Sequence, residues 1–161
     1  MKLTAYGITT DLPPGWEGRI SRRQPPATPD GRTGERGAPG DAPQPVAHLA
    51  NFALPEDRGD FGSGAVDLMG TGHVFLALFE YGPESLGQPL FAPQGVPELR
   101  PTMFSATALQ RVIQGQAGCQ RFFTVHNRPF CLYAVLGRQG EAPVLVPAAN
   151  LTLRATRIDP R

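Results

Sequence analysis

The side chains best suited to metal or thiol chemistry are few in this sequence. Its 161 residues include three histidines and two cysteines. A metal or thiol site could be written from His73, Glu80, His126, Cys119 and Cys131, since imidazole, carboxylate and thiolate serve as ligands and nucleophiles. Their spacing matches no Cys-x-x-Cys or His-x-x-x-His pattern, and such short spacings give these motifs their specificity. The sequence therefore predicts no catalytic site, metal or cofactor, and leaves a small metal- or thiol-dependent enzyme as an alternative.

The remaining polar candidates favour structural roles. His48 falls among apolar neighbours on an expected strand, where a lone histidine is usually structural, whereas His126 falls in an expected exposed turn. The chain has no Gly-x-Ser-x-Gly elbow of the kind that serine hydrolases use. Glu80 ends an apolar run, and we expect it either to form a salt bridge with one of the arginines that follow residue 100 or to be exposed at the end of the strand.

Charge is unevenly distributed along the chain. Residues 39–98 carry one arginine against eight acidic residues, and residues 100–161 carry eight arginines against two acidic residues. The separation favours a fold in which the two halves interdigitate and their charges cancel. The alternative is a molecule with opposed charged faces that binds partners, including copies of the same chain. The candidates for partner contact are Arg22, Arg23, Arg32, Arg36, Trp16 and Arg128.

Composition excludes several classes of partner. The formal net charge is +1, which argues against a nucleic acid or an anionic membrane surface as the partner. The first ten residues lack the apolar run of a signal peptide, and no stretch approaches the roughly 18 apolar residues of a membrane span. We therefore expect a cytoplasmic protein without a membrane span, whose final assembly could still be exported.

The elements that would position these residues follow from the apolar pattern. Strands are expected at residues 3–9, 16–21, 46–54, 73–81, 120–125, 130–137 and 151–156. The run at 73–81 is apolar on both parities, which predicts a central strand covered on both faces. One helix is expected to begin at Ser105 and continue through Ile113, and another to span 63–69. These elements predict an α+β fold, mostly antiparallel, with two or so helices packed on the sheet.

The two cysteines lie near an expected hairpin. Strands at 120–125 and 130–137 with a four-residue turn would place Cys131 opposite Thr124. Cys119 would then lie too far along the strands from Cys131 to form a disulfide. Both thiols are expected to be free, with Cys131 buried.

Glycine and proline mark two long loops in what we expect to be a single domain over residues 1–161. Residues 22–45 contain ten Gly or Pro in 24 positions and almost no large apolar side chains, which predicts a long loop or a disordered insertion. Residues 82–101 are also rich in Gly and Pro but include interspersed leucines, valine and phenylalanine. This second segment is expected to be an ordered, packed loop.

Two segments resemble the PsbP/Mog1-like family. One is the run from Tyr6 to Trp16, which ends in Pro13-Pro14-Gly15-Trp16, and the other is the closing run 149–155. The resemblance covers about a fifth of the chain. It implies an antiparallel sheet with helices on its faces, and adaptor, chaperone or assembly roles without catalytic residues.

These observations favour a non-enzymatic structural or adaptor/chaperone protein, a subunit of a larger assembly of the phage-like or secretion type. The alternatives are the small enzyme described above and a small-ligand-binding domain with a pocket beside the 82–101 loop.

Overall fold

Eight strands form two antiparallel sheets in the computed structural model, which describes residues 1–23 and 43–161. The strands are β1 (Lys2–Ala5), β2 (Ile8–Asp11), β3 (Glu17–Arg22), β4 (Pro45–Ala50), β5 (Val74–Glu80), β6 (Ala117–Val125), β7 (Arg128–Leu136) and β8 (Thr156–Ile158). The small sheet has the order β1-β2-β8, and the large sheet has the order β3-β4-β5-β7-β6. The helices are α1 (Ser63–Val66) and α2 (Ala142–Arg154), and single 3₁₀ turns occupy Pro83–Ser85, Pro89–Phe91, Pro101–Met103 and Gln139–Glu141. The predicted α+β class is confirmed.

Strand β5 is central in the large sheet, as its two-sided apolar pattern predicts. All seven of its residues are buried, and it pairs with β4 on one side and with β7 on the other. Alternate side chains of β5 enter two separate apolar clusters. The sheet is therefore the middle layer of the molecule.

The first cluster lies between the large sheet, α2 and the small sheet. Leu76 and Leu78 from β5 pack there with the α2 residues Leu145 and Val146 and with Ile8 of β2. Because both sheets contribute side chains to this cluster, its burial joins the small sheet to the large one.

The second cluster covers the opposite face. Phe75 and Phe79 of β5 pack there with Ala65 and Val66 of α1. The irregular segment 105–113 contributes partly buried apolar side chains to the same cluster. None of the helices in residues 1–23 and 43–161 is long and apolar enough to cross a membrane.

The helix predicted from Ser105 through Ile113 is wrong, because other hydrogen bonds occupy this segment. The backbone of Ser105 exchanges two hydrogen bonds with Gly118 on β6, of 3.0 and 2.9 Å. The amide of Gln110 donates to the hydroxyl of Tyr133. The apolar side chains of this segment therefore cover the sheet although its backbone is not helical. The shorter predicted helix, 63–69, exists as α1 but ends at Val66.

The strand predicted at 151–156 is also wrong, and with it the strand implied by the family resemblance at 149–155. Most of this stretch belongs to α2, and only its last residue, Thr156, begins β8. The buried residues Leu145, Val146, Ala149 and Leu153 follow the three-and-four spacing of a helix. Leu151, which belongs to the alternating pattern that suggests a strand, is exposed to solvent on the helix.

The expected strand 3–9 is interrupted by a two-residue turn at Tyr6 and Gly7, which have φ angles of 51° and 73°. Positive φ at both central positions makes the tight turn that matches the twist of a hairpin. Strands β1 and β2 are the two arms of that hairpin. The turn at residues 12–15 then leads from the small sheet into the large one, where β3 pairs with β4.

The β6–β7 hairpin exists, but its register differs by two residues from the predicted one. Its turn contains only His126 and Asn127, with φ angles of 49° and 58°, so Cys131 faces Phe122. Cys119 points into the first cluster and Cys131 into the second, on opposite faces of the sheet. Both cysteines are free, as predicted.

Candidate protein-binding surface

The side chains considered for metal or thiol chemistry do not converge. No group of three His, Cys, Asp or Glu in residues 1–23 and 43–161 is placed to hold a metal ion. His126 lies exposed at the hairpin turn, whereas Cys131 is buried in β7. Burial raises the pKa of the Cys131 thiol to about 12, and it also raises the pKa of Cys119. Both cysteines are therefore protonated at neutral pH, the opposite of what a thiolate nucleophile requires.

His48 is a buried structural histidine on β4. Its Nδ1 accepts a hydrogen bond of 2.8 Å from Nε of Arg58, and its Nε2 lies 2.6 Å from the carbonyl oxygen of Asp60. A guanidinium only donates, so the proton must be on Nε2, and the ring is neutral. The pKa of His48 is lowered to about 4, mainly by burial; the charge of Arg58 contributes to the lowering, and the hydrogen bond with Asp60 partly opposes it. The ring also packs 5.5 Å from that of Phe75, so the residue anchors the 52–62 segment to the sheet.

Glu80 forms the predicted salt bridge, and Arg128 is its principal partner. Nε and Nη2 of Arg128 donate to the two carboxylate oxygens of Glu80 at 3.0 and 2.7 Å. Arg161 adds a third hydrogen bond of 2.7 Å to the same carboxylate. Arg128 is 2% exposed, so its proposed role as a partner contact is wrong. Its guanidinium is used inside the protein.

The remaining donors of Arg128 join the two sheets. Nη1 donates to the carbonyl oxygens of Asp159 and Gly7, and Nη2 donates to that of Tyr6. All five N–H groups of the guanidinium are thereby satisfied. The turn between β1 and β2 is held against the ends of β5 and β7 by this one side chain.

The other predicted partner contacts are distributed differently. Arg22 is exposed and lies 4.9 Å above the ring of Tyr6. Arg23 is half-buried and donates to the carbonyl oxygen of Glu80. Trp16 is half-buried and packs against the first cluster. Arg32 and Arg36, with most of the 22–45 loop, lie outside the described residues.

Residues 96–104 form a loop at the edge of the large sheet, which we call the arch. The arch overlaps the end of the 82–101 segment. The chain reaches the arch from residues 93–95, where Thr124 of β6 donates to Pro93 at 2.8 Å and accepts from Gly95 at 2.9 Å. It leaves the arch at Ser105, which is bonded to Gly118. The chain is therefore hydrogen-bonded to the edge strand β6 on both sides of the arch.

Side-chain hydrogen bonds fix the arch in place. The amide of Asn150 on α2 both donates to and accepts from the backbone of Leu99, with distances of 2.8 Å in each direction. The hydroxyl of Thr124 donates at 2.7 Å to the carbonyl oxygen of Phe91, which lies on the segment that precedes the arch. Phe91, Leu99 and Asn150 are all buried, so these contacts are shielded from water.

A cavity of about 520 Å³ lies between the arch and the middle of β6. Its lining is mostly apolar on the arch side, and Arg121 and Phe122 contribute from β6. The residues that line it are Leu90, Pro93, Gln94, Gly95, Val96, Pro97, Glu98, Met103, Arg121, Phe122 and Phe123. Its volume falls within the range of binding pockets for small ligands or side chains.

The outer face of α2 is apolar as well. Val144 and Leu151 are 68% and 61% exposed, and they lie seven residues apart on one side of the helix. Pro143 and Pro147 are exposed between and beside them. A helix packed on a core usually presents polar side chains outward, so this face is a candidate contact surface.

Sequence reasoning missed both the arch and the outer face of α2. The helical spacing of buried residues from Ala142 to Leu153 is present in the sequence and could have identified α2, and with it the exposed apolar residues. Nothing in the local sequence points to the pairing of Asn150 with Leu99, because it joins positions 51 residues apart.

Comparisons with known proteins find no relative. No family model, no curated protein and no solved structure matches the chain. The PsbP/Mog1-like resemblance stays a prediction, and the function must be argued from the surfaces of the molecule itself.

Proposed function

We propose that this chain is a non-enzymatic structural or adaptor protein, a subunit of a larger assembly, and that it contacts a second copy of itself through the outer face of α2. The observation that carries the proposal is the apolar character of that face. Such a surface suits an assembly built from repeated copies of one chain, as in phage-like or secretion-type machines.

Two exposed large apolar residues, Val144 and Leu151, lie on the outer face of α2, with the exposed Pro147 between them. Single apolar side chains on a surface are common, whereas a row of them along one helix favours an interaction site. Val144, Pro147 and Leu151 follow each other at three- and four-residue spacing, which places them along one side over two turns. Covering them with a partner would remove this apolar area from water.

The backbone of α2 adds a polar feature to this face. Pro147 lies inside the helix and has no N–H, so the carbonyl oxygen of Pro143 lacks its usual intrahelical donor. Both residues are exposed. A neighbouring chain could therefore add a hydrogen bond at the centre of an otherwise apolar contact.

Opposite charges lie at the two ends of α2. Glu141 precedes the helix and Arg154, which also pairs with Glu98 at the surface, ends it, and both are exposed. Two copies of α2 packed antiparallel would bring Glu141 of each copy towards Arg154 of the other. The partner in this proposal is therefore a second copy arranged about a twofold axis.

Light scattering coupled to size exclusion, over a range of protein concentrations, tests the proposal. We expect dimers or larger species for the native chain, and monomers for Val144→Glu and Leu151→Glu. Leu68→Glu is the matched control, since Leu68 is 60% exposed away from α2 and its replacement should leave association unchanged. A native chain that remains monomeric up to about 1 mM would contradict the proposal.

A charge exchange tests the arrangement of the two helices. Glu141→Arg should weaken association, and the double variant Glu141→Arg with Arg154→Glu should restore it. If the double variant associates no better than the single one, the antiparallel arrangement is wrong.

The alternative of a metal- or thiol-dependent enzyme has no supporting geometry in the described residues, because His126 is exposed and Cys131 is buried with a raised pKa. Metal analysis of the purified protein distinguishes the two functions. One equivalent of tightly bound transition metal would favour the enzyme.

A further inference from the structure

The middle of strand β6 has an unpaired edge. Successive residues of a strand direct their backbone N–H and C=O groups to opposite sides. The backbone groups of Gly118 and Thr124 are directed away from β7 and form hydrogen bonds at the two ends of the arch. The regular register between them means that Gln120 and Phe122 point the same way. Within the described residues, neither has a backbone partner on that side. Two N–H groups and two carbonyl groups therefore face an opening beneath the arch.

We propose that this opening binds a short, extended, acidic segment of a partner polypeptide, which pairs with Gln120 and Phe122 and places an apolar side chain in the cavity. Donors and acceptors that alternate at strand spacing are best matched by another peptide backbone. The backbone groups at the opening therefore favour an extended polypeptide, whatever its side chains are.

The cavity supplies selectivity for an apolar residue. Leu90, Val96, Met103 and Phe122 line it, and the cavity adjoins the unpaired edge because Phe122 belongs to both. In strand addition, alternate side chains of the added segment enter such pockets while the backbone supplies the pairing. A leucine or valine of the segment fits this environment.

Charge supplies selectivity for an acidic segment. Arg121 is exposed at the cavity and forms no ion pair within the described residues. Glu98, the acidic residue of the lining, is already paired with Arg154. The cation that remains at the opening is complementary to a carboxylate next to the apolar residue.

The ends of the opening limit the length of its occupant. Backbone bonds to Gly118 and Thr124 close the edge on both sides, which leaves about five residues of β6, or roughly 16 Å, between them. A long edge strand from another copy of the sheet would collide with both ends. A short flexible segment can enter from the side, so this site is distinct from the contact between copies proposed for α2.

Binding of a synthetic peptide, acetyl-Glu-Val-Leu-Val-Glu-amide, to the full chain tests the inference by NMR. We expect saturable shifts confined to residues 90–105 and 118–124, and slower hydrogen exchange at the amides of Gln120 and Phe122. The same peptide with both valines N-methylated loses the two backbone donors that face Gln120 and Phe122 in an antiparallel pairing, and it should bind at least about tenfold more weakly. No binding at about 1 mM peptide, or equal affinity for the methylated peptide, would overturn the inference.

Two substitutions at one position separate the backbone of β6 from its side chain. Gln120→Pro removes an outward N–H that the pairing with β7 does not use, and it should abolish peptide binding. Gln120→Ala keeps that N–H and should bind as the native chain does. Equal binding by a folded Gln120→Pro variant would contradict the inference, and the methylated peptide gives the same information if this variant fails to fold.

A charge reversal tests the acidic preference. Arg121→Glu should weaken binding of the acidic peptide at least tenfold and favour the analogue with lysine in place of both glutamates. An unchanged preference would exclude Arg121 from recognition. Leu151→Glu on α2 should leave peptide binding intact, so failure of this inference and failure of the α2 proposal are distinguishable.

Discussion

The carboxylate of Glu80 and the guanidinium of Arg128 form a two-point ion pair that is almost wholly shielded from water. Each side chain is 2% exposed, and the two hydrogen bonds measure 3.0 and 2.7 Å. One residue ends the central strand of the large sheet and the other begins its neighbour. The pair lies at the junction with the small sheet, where its remaining hydrogen bonds hold the β1–β2 turn.

Replacing Arg128 with methionine should destabilise the protein by about 3–5 kcal/mol, because the buried Glu80 carboxylate loses two of its three hydrogen bonds and the carbonyl oxygens of Tyr6, Gly7 and Asp159 lose their donor. Urea denaturation measures the change. Arg157→Met is the matched control, since Arg157 pairs with Asp159 at the surface, where an ion pair contributes no more than about 1 kcal/mol. Similar losses for the two variants would contradict the structural role of the buried pair.

Gly7, which lies beside this pair, should also be sensitive to substitution. A Cβ at Gly7 would lie 2.6 Å from Nη1 of Arg128, and the φ of Gly7 is +73°. Gly15 has a φ of +83° with nothing within 4 Å of its Cβ position, so Gly15→Ala carries only the conformational cost of about 1–2 kcal/mol. Thermal unfolding should show that Gly7→Ala costs clearly more than Gly15→Ala. Equal costs would mean that the close approach to Arg128 is unimportant.

His48 should make stability depend on pH between about 4 and 6.5. Its pKa is about 4 in the folded protein and 6.5 in the unfolded chain, so as the pH falls the unfolded chain takes up the proton first. The contribution of the neutral ring is complete above pH 6.5 and is lost as the pH falls to 4, by roughly 3 kcal/mol in total. Urea titrations across this range should show a steeper loss for the native chain than for His48→Gln. Parallel curves would show that His48 does not titrate as its burial requires.

Both cysteines should resist modification in the folded protein. Burial raises the pKa of Cys119 and Cys131, which leaves little thiolate, and neither side chain is open to a reagent. A disulfide reagent at pH 8 should label no thiol in the native protein and two after unfolding in guanidinium. Rapid labelling of one thiol in the native state would restore the thiol-dependent alternative.

Elements of this fold could be predicted where a short stretch of sequence carries the pattern that identifies them. Strand β5 could be predicted because its apolar residues occupy both parities, a pattern that few other elements produce. Helix α2 could have been found from its buried spacing, but the alternation around Leu151 resembles a strand and Pro147 argues against a helix interior.

The candidate surfaces depend on contacts that no local pattern contains. Arg128 has the composition of an exposed residue, and its burial requires Glu80 and two carbonyl groups from a turn more than 120 residues away in the chain. The opening at β6 requires the arch to be held by Asn150. Such features are set by tertiary structure and become visible only when the elements are placed together.

The small sheet also constrains the order in which the chain can fold. Thr10 on β2 and Thr156 on β8 join their hydroxyls across a sequence separation of 146 residues, whereas β6 and β7 are separated by a two-residue turn. Because distant pairings require more loop-closure entropy, the β6–β7 hairpin can nucleate early and the β2–β8 pairing closes late. A nascent chain would thus complete its small sheet only after β8 has been synthesised.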